Sequence, residues 1–269
     1  MLKKQHGINC TIYELRDEPD ERGNNLALSP NAIRVLQHIG VYDSLRFQGY
    51  TFEEVALNNG FGQQLARFFN GSQKLYNFRS LRVHRKHVQK VLFDELFAQG
   101  IEIQYGMRLS GLEEAEDIVQ LKFSNGQTAN ADYVVGADGL FSYVRRHITG
   151  IEPSYSGLFA ITGVFYRDQM DQSSADYHLP GFFFGQSGFM AIMPCSPDGN
   201  EVSFFSSMEA PDRTRDEWNQ LALDKERLKS ILMERFSSKN NWPKLIFRMV
   251  NDVSPSTLSL WPLVLSNWP

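Results

Sequence analysis

Cysteine is scarce in this chain: Cys10 and Cys195 are the only two in 269 residues, and they stand far apart. That scarcity argues against a disulfide framework and against a cysteine-built metal site. Both sit in apolar, strand-like contexts and read as small buried hydrophobes. No apolar run is long enough to cross a bilayer. The opening Met1-Leu-Lys-Lys-Gln-His-Gly7 lacks the apolar segment of a signal peptide. The expectation is a cytoplasmic protein with no membrane segment in these residues. A basic surplus is also missing. Lys and Arg number 27 against 31 Asp and Glu, a net charge of −4, which argues against general nucleic-acid binding. Neither an internal repeat nor a low-complexity segment is found. What remains is an ordinary globular composition, 42% hydrophobic and 22% charged, in a chain that fits one large domain or two smaller ones.

The most informative stretch is Asp132-Tyr-Val-Val-Gly-Ala-Asp138-Gly139-Leu-Phe-Ser142-Tyr-Val-Arg145-Arg146. An apolar run stops at Gly-Ala-Asp-Gly, and Ser142 then precedes a short basic segment. The pattern predicts a buried strand that delivers the Asp138 carboxylate to the carboxyl end of a sheet, where open α/β folds bind ligands. Gly139 permits a tight turn or the close approach of a ligand, and Ser142 can cap the helix that follows. Taken alone, an ordinary strand-to-helix turn is the simpler reading; the rest of the chain shifts the balance.

Residues 9–14 read as a short strand ending in Glu14, followed by a polar loop. Residues 30–40 form a helix with Ser29 as cap, Pro30 in the first turn and Gly40 at the end. Residues 51–79 read as short strands of a side sheet. Residues 83–100 give the clearest helix, with Val88, Val91, Leu92 and Leu96 at helical spacing. A strand at 101–105 follows, and then a hairpin of 118–123 and 127–135 around Ser124-Asn125-Gly126. Beyond residue 150 the texture changes to aromatic-rich strands at 159–167, 181–193 and 201–206, a polar loop at 194–200 and a helix over 212–236. The order is α/β first and largely antiparallel afterwards.

An acidic side chain at the end of a strand is the usual acceptor for a ribose diol; by itself Glu14 reads as a solvated strand end. Arg85 opens a helix, where dipole logic disfavours a cation, which points to a ligand with negative charge or acceptor atoms. Together with the Asp138-Gly139 stretch, these features make the chain resemble the flavin-dependent aromatic hydroxylases and related FAD monooxygenases of the hydroxybenzoate-hydroxylase fold. Five segments carry the likeness, in order. They are Tyr13-Glu14 with the loop and helix through Gly23 and Ala27, the helix Leu81-Arg-Val-His-Arg85-Lys-His-Val, the stretch Gly136-Ala-Asp138-Gly139, the Phe-rich sheet, and Trp261-Pro-Leu-Val.

The resemblance implies an α/β fold: a three-layer ββα, glutathione-reductase-like FAD-binding domain, incomplete here, with an interleaved antiparallel-sheet substrate domain. Residues 1–50 and 80–152 would form the cofactor domain, 51–79 and 153–260 the substrate domain, and 261–269 the start of a return strand. It further implies that Glu14 binds the adenosine ribose of FAD, that Ala27 touches the cofactor through its backbone, and that Arg85 lies beside the ribityl chain or pyrophosphate. Asp138 and Gly139 support the same site. The implied activity is NAD(P)H-driven insertion of one atom of O2, through a flavin hydroperoxide, into a small apolar or aromatic substrate. The phenylalanines at 159, 165, 182, 183, 184 and 189 would suit such a substrate, although core packing is the simpler reading for most of them. No catalytic acid or base is assigned, and no metal site.

Two departures from the family stand out. A Gly-x-Gly-x-x-Gly turn, whose helix N-terminus holds the pyrophosphate, is missing, as is the family's Gly-Asp segment after Trp268-Pro269. The expectation is a chain truncated at both ends, with a central strand lacking and its neighbours exposed. A non-catalytic remnant that no longer binds FAD, and a different flavin or nicotinamide enzyme of the same broad fold, stay open as alternatives. His84 and His87 are three apart in the expected helix; with Arg85 and Lys86 beside them and no acidic partner in view, a solvated face is the simpler reading.

Overall fold

The computed structural model of this protein describes residues 1–19, 24–169, 177–237 and 242–266. Residues 20–23 of the polar loop and the terminal Trp268-Pro269 lie outside the described residues. In chain order the first elements are α1 (Leu2–His6), β1 (Thr11–Tyr13), β2 (Asn25–Leu28), α2 (Pro30–Ile39), α3 (Tyr42–Leu45), β3 (Tyr50–Phe52), β4 (Glu54–Asn59), β5 (Gln64–Phe69) and α4 (Gln73–Tyr76). Then come β6 (Ser80–His84), α5 (Arg85–Ala98), β7 (Glu102–Gln104), β8 (Leu109–Glu114), β9 (Val119–Phe123), β10 (Thr128–Ala131) and α6 (Tyr143–Thr149). The remainder is β11 (Ser154–Tyr166), β12 (Gly181–Gly185), β13 (Gly188–Pro194), β14 (Glu201–Glu209), α7 (Arg215–Leu223), α8 (Lys225–Arg235), α9 (Lys244–Asp252) and β15 (Ser259–Leu265).

The chain divides into two compact units. One comprises Met1–Arg22, Leu92–Ser156 and Val264–Pro269, the other Gly23–Val91 and Gly157–Leu263. Residues 23–50 and 80–91 thus share a unit with the aromatic sheet.

In the first unit β1 and β7 pair in parallel, Ile12 opposite Ile103, and β8, β9 and β10 form an antiparallel meander. Met107, Leu121 and Phe123 make its buried cluster, with Tyr13, Leu112 and Val134 packed against it. The Tyr13 and Phe123 rings lie 4.8 Å apart. The β9–β10 turn runs through Gly126 at φ +84°, the left-handed conformation that Asn-Gly supplies cheaply.

The expected strand into Asp138 does not form. β10 ends at Ala131, and residues 132–139 belong to no sheet. Tyr133 is 90% exposed and Val135 79%. An apolar alternating run becomes a strand only where another strand meets its backbone, and none does among the described residues.

In the second unit seven strands run in the order β15-β11-β14-β13-β12-β4-β5, and β2-β6-β3 form a small antiparallel sheet. Residues 51–79 supply two strands at the edge of the large sheet, as a side-sheet reading anticipates. Residues 181–193 are a hairpin rather than one strand, because Gly185 and Gly188 flank a turn. Pleating sorts the phenylalanines. Phe183 is fully buried, as are nearly all of Phe159 and Phe165, so these three are core. Phe182, Phe184 and Phe189 lie on the other face with Phe68, their rings 5.0–6.2 Å apart.

The helix expected over 212–236 breaks in two. Asp224 ends α7 and accepts the Arg227 amide at 3.0 Å to cap α8. Helix α5 begins at Arg85, two residues later than expected, because Ser80–His84 pair with both β2 and β3. Packing is tight where β11 meets β14. A Cβ on Gly163 would lie 2.6 Å from the Phe204 ring and 2.9 Å from Leu258. Gly163→Ala is therefore expected to lower unfolding stability by about 1–3 kcal/mol, read as a shifted urea midpoint with unchanged slope.

Candidate functional site

In the first unit, Glu14 follows β1 and extends its ladder: its amide donates to Gln104 at 2.8 Å and its carbonyl accepts from Met107 at 2.8 Å. One carboxylate oxygen accepts the Arg16 amide at 2.9 Å. The backbone is thus fixed on both sides, and among the described residues the second oxygen keeps its acceptor capacity. Tyr13 and Val134 pack on one buried cluster, so the strand end and the run leading to Asp138 share a support.

Asp138 is more elaborate than a lone carboxylate. The Ser142 hydroxyl donates to one oxygen, and the Tyr143 and Val144 amides donate to the other at 2.7 and 3.2 Å. The Ser142 hydroxyl oxygen in turn accepts the Arg145 amide at 2.9 Å. Asp138 and Ser142 together satisfy the free amides at the start of α6. Partial burial raises the Asp138 pKa, but the donors from Ser142 and the α6 backbone outweigh it and hold the carboxyl below its ordinary 3.8. Gly139 stands at φ +79°, and a Cβ there would meet nothing within 4 Å. The backbone at this turn is therefore open to close approach. A Cβ on Gly136, by contrast, would lie 2.6 Å from Val144, which holds the turn against α6.

In the second unit, Ala27 sits on β2 opposite Arg82 of β6, and Asn25 opposite His84. The Arg85 amide donates to the Asn24 carbonyl at 3.2 Å. Arg85 thereby stands at the end of the small sheet where β2 begins, and Ala27 lies further along β2, opposite Arg82. Among the described residues, no hydrogen bond or ion pair engages the Arg85 guanidinium.

A further cluster in this unit escaped sequence reasoning. Arg82, central in β2-β6-β3, donates to the Ser203 hydroxyl at 2.8 Å; burial pulls its pKa down to about 10. His84 Nε2 lies 2.9 Å from Glu201, and the Cys195 thiol lies 3.3 Å from the same carboxylate. Burial, then the Glu201 charge, pushes the Cys195 thiol up to about 12. The solvated-face reading of His84 is thus corrected: it ends a strand rather than joining a helix, and it has an acidic partner. That partner lies far along the chain, where no local signal announces it.

The FAD binding domain family model matches residues 1–249, and the chain belongs to that family. Curated relatives include 3-amino-4-hydroxybenzoate 2-monooxygenase of Streptomyces cremeus, 33% identical over 216 residues that cover 79% of this chain and 54% of the relative. Another is 6-hydroxynicotinate 3-monooxygenase of Bordetella bronchiseptica, 26% identical over 98% of this chain and 66% of the relative. The chain thus spans 54–66% of the length of these two relatives. Among solved structures, Klebsiella pneumoniae HpxO complexed with FAD and uric acid superposes with a TM-score of 0.79 at 22% identity, covering 98% of this chain and 64% of that one. The 2,6-dihydroxypyridine-3-hydroxylase of Arthrobacter nicotinovorans gives 0.74 at 19% identity, covering 99% and 68%. The fold is therefore that of the flavin monooxygenases of hydroxybenzoate-hydroxylase type, as the sequence resemblance implied. No helix among the described residues is long and apolar enough to cross a membrane.

The Asp138 cap generates a signed expectation. Asp138→Ala should cost about 0.5–2 kcal/mol at neutral pH. Because the folded pKa is depressed, that advantage of the native residue is full above the ordinary carboxyl value and is lost as pH falls through the lower folded one. Chemical unfolding of both proteins between pH 7 and pH 2 should show the two stabilities converging only at the acid end.

Proposed function

We propose that this protein acts as an FAD-dependent monooxygenase, using NAD(P)H and O2 to place one oxygen atom on a small aromatic or heteroaromatic substrate while the second oxygen leaves as water. The balance is substrate, O2, NAD(P)H and one proton giving hydroxylated substrate, water and NAD(P)+. Bound FAD supplies the redox chemistry, accepting electrons from the nicotinamide and activating O2; the chain's own residues bind, orient and exclude water.

The observation that carries this reading is the match of an FAD-binding family across residues 1–249 to a chain whose Asp138-Gly139 turn is capped, open and glycine-backed. The residues fit the cofactor. Glu14 has a carboxylate oxygen available for a ribose hydroxyl, and Gly139 lets a ligand approach the main chain. Asp138 holds that turn rigid through the α6 amides. Ala27 offers backbone groups, and Arg85 carries an uncommitted cation for the pyrophosphate or ribityl oxygens. In this reading, residues 1–50 and 80–152 serve the cofactor and 51–79 and 153–260 the substrate, a division by chemistry rather than by compactness. Of the six phenylalanines considered for a substrate surface, Phe182, Phe184 and Phe189 lie outside the core; with Phe68 they form a partly exposed cluster that suits a planar ring. The substrates in the relatives' names, a hydroxybenzoate and a hydroxynicotinate, support that class.

The test is direct. The purified chain, reconstituted with FAD, should show the visible bands of bound oxidised flavin. Given NAD(P)H, 18O2 and a panel of hydroxylated benzoates, pyridines and purines, it should yield a product carrying one 18O atom. A chain that retains no flavin after reconstitution sinks the reading and leaves a non-catalytic relative. Arg85→Ala should weaken FAD binding about 10-fold or more, the loss of one charged hydrogen bond, measured by flavin fluorescence quenching.

A further inference from the structure

Within the second unit, three side chains of different chemistry present ligand atoms to one point. His84 Nε2, Cys195 Sγ and a Glu201 carboxylate oxygen all lie within 4.8 Å of one another. The His84–Glu201 separation is 2.9 Å and the Cys195–Glu201 separation 3.3 Å. We propose that these residues form a binding site for a divalent transition metal of the zinc class. Neither the family match nor the proposed oxygenation uses this site.

The donor set selects the metal. One imidazole, one thiolate and one carboxylate is a borderline-soft combination that suits Zn(II) or Co(II) and does not suit Mg(II) or Ca(II), which take oxygen ligands. Bonds of about 2.0–2.3 Å at tetrahedral angles put ligand atoms roughly 3.3–3.7 Å apart. Two of the three pairs therefore open by a few tenths of an ångström on binding, and the third, within 4.8 Å, closes by no more than about 1.5 Å. Three protein ligands leave a fourth position for water, the pattern of sites that keep an exchangeable ligand.

The scaffold holds the ligands before any metal arrives. His84 is the last residue of β6 and is held on one side by β2, where it pairs with Asn25. Cys195 and Glu201 bracket the tight loop between β13 and β14, and the Cys195 amide donates to the Glu201 carbonyl at 2.8 Å. All three sit on strand ends, which fix a site more closely than a free loop does. His87, in the first turn of α5, lies close by, its ring centroid 5.6 Å from that of His84. Charge is consistent with a dication. Binding displaces the thiol proton, so Cys195 and Glu201 then carry two negative charges against one positive charge on the neighbouring Arg82.

The experiment uses the full 269-residue chain, freed of metal with a chelator. Zn(II) is titrated by calorimetry. Co(II) is followed by absorption as a difference spectrum, so that any bound flavin cancels. The expected result is one equivalent of either metal, with a thiolate-to-cobalt charge-transfer band and the intense visible bands of tetrahedral cobalt. Cys195→Ser should abolish the charge-transfer band. Glu201→Gln should keep that band and weaken binding about tenfold or more. Circular dichroism of each metal-free variant separates lost ligation from lost fold; should Cys195→Ser unfold, His84→Gln joins Glu201→Gln as the deciding pair. Absence of saturable uptake by the native chain overturns the proposal. So does a cobalt spectrum that survives unchanged in Cys195→Ser, or, if that variant unfolds, in both His84→Gln and Glu201→Gln.

Discussion

A guanidinium removed from water constrains the second unit. Arg82 occupies the middle strand of a three-stranded sheet, opposite Ala27 on one side and Tyr50 on the other, and its head reaches Ser203 on the large sheet. Burying such a charge is costly unless it is hydrogen-bonded, so the register of β6 is tightly specified. The pleat then fixes everything nearby. Leu81 and Val83 point into the core, exposed by no more than 1%, while Arg82 and His84 share the opposite face. A slip of one residue would exchange the two sets. Arg85 follows at the first turn of α5 only because the strand ends where it does.

The first unit is organised by a different device. Its turn at Asp138-Gly139 is held by hydrogen bonds from the amides of a short helix rather than by a sheet. The same carboxylate that serves as a cap closes the turn around the glycine that follows. Local polar bonding here does what strand pairing does elsewhere, and it confines the open stretch of backbone to one defined place.

Much of this was legible beforehand where the signal was local. Pro30 and Gly40 mark the limits of α2, Asn-Gly marks the β9–β10 turn, and Ser142 marks the start of α6, each through chemistry contained in a few residues; Ser29 stands at the N-cap of α2, but its hydroxyl turns to Asn31 rather than to a helix amide. Failures came where a distant partner decides. Val83 and His84 fit a helical pattern, yet β2 captures them. The run Tyr133-Val-Val135 has the composition of a strand, yet finds no neighbour. Asp224 breaks a helix without any glycine or proline to announce it, because its side chain prefers to cap the next one. Of the candidate site, the residues carried by motif were named, whereas Cys195 and Glu201 were not, since only tertiary structure brings them to His84.

The stretch from Asp132 to Gly139 carries a consequence for the protein's life in solution. An apolar segment that shares no ladder among the described residues offers its amides and carbonyls to any strand that comes alongside. Tyr133 and Val135 would face such a visitor first. Self-association and protease attack both begin with backbone that is free to be matched.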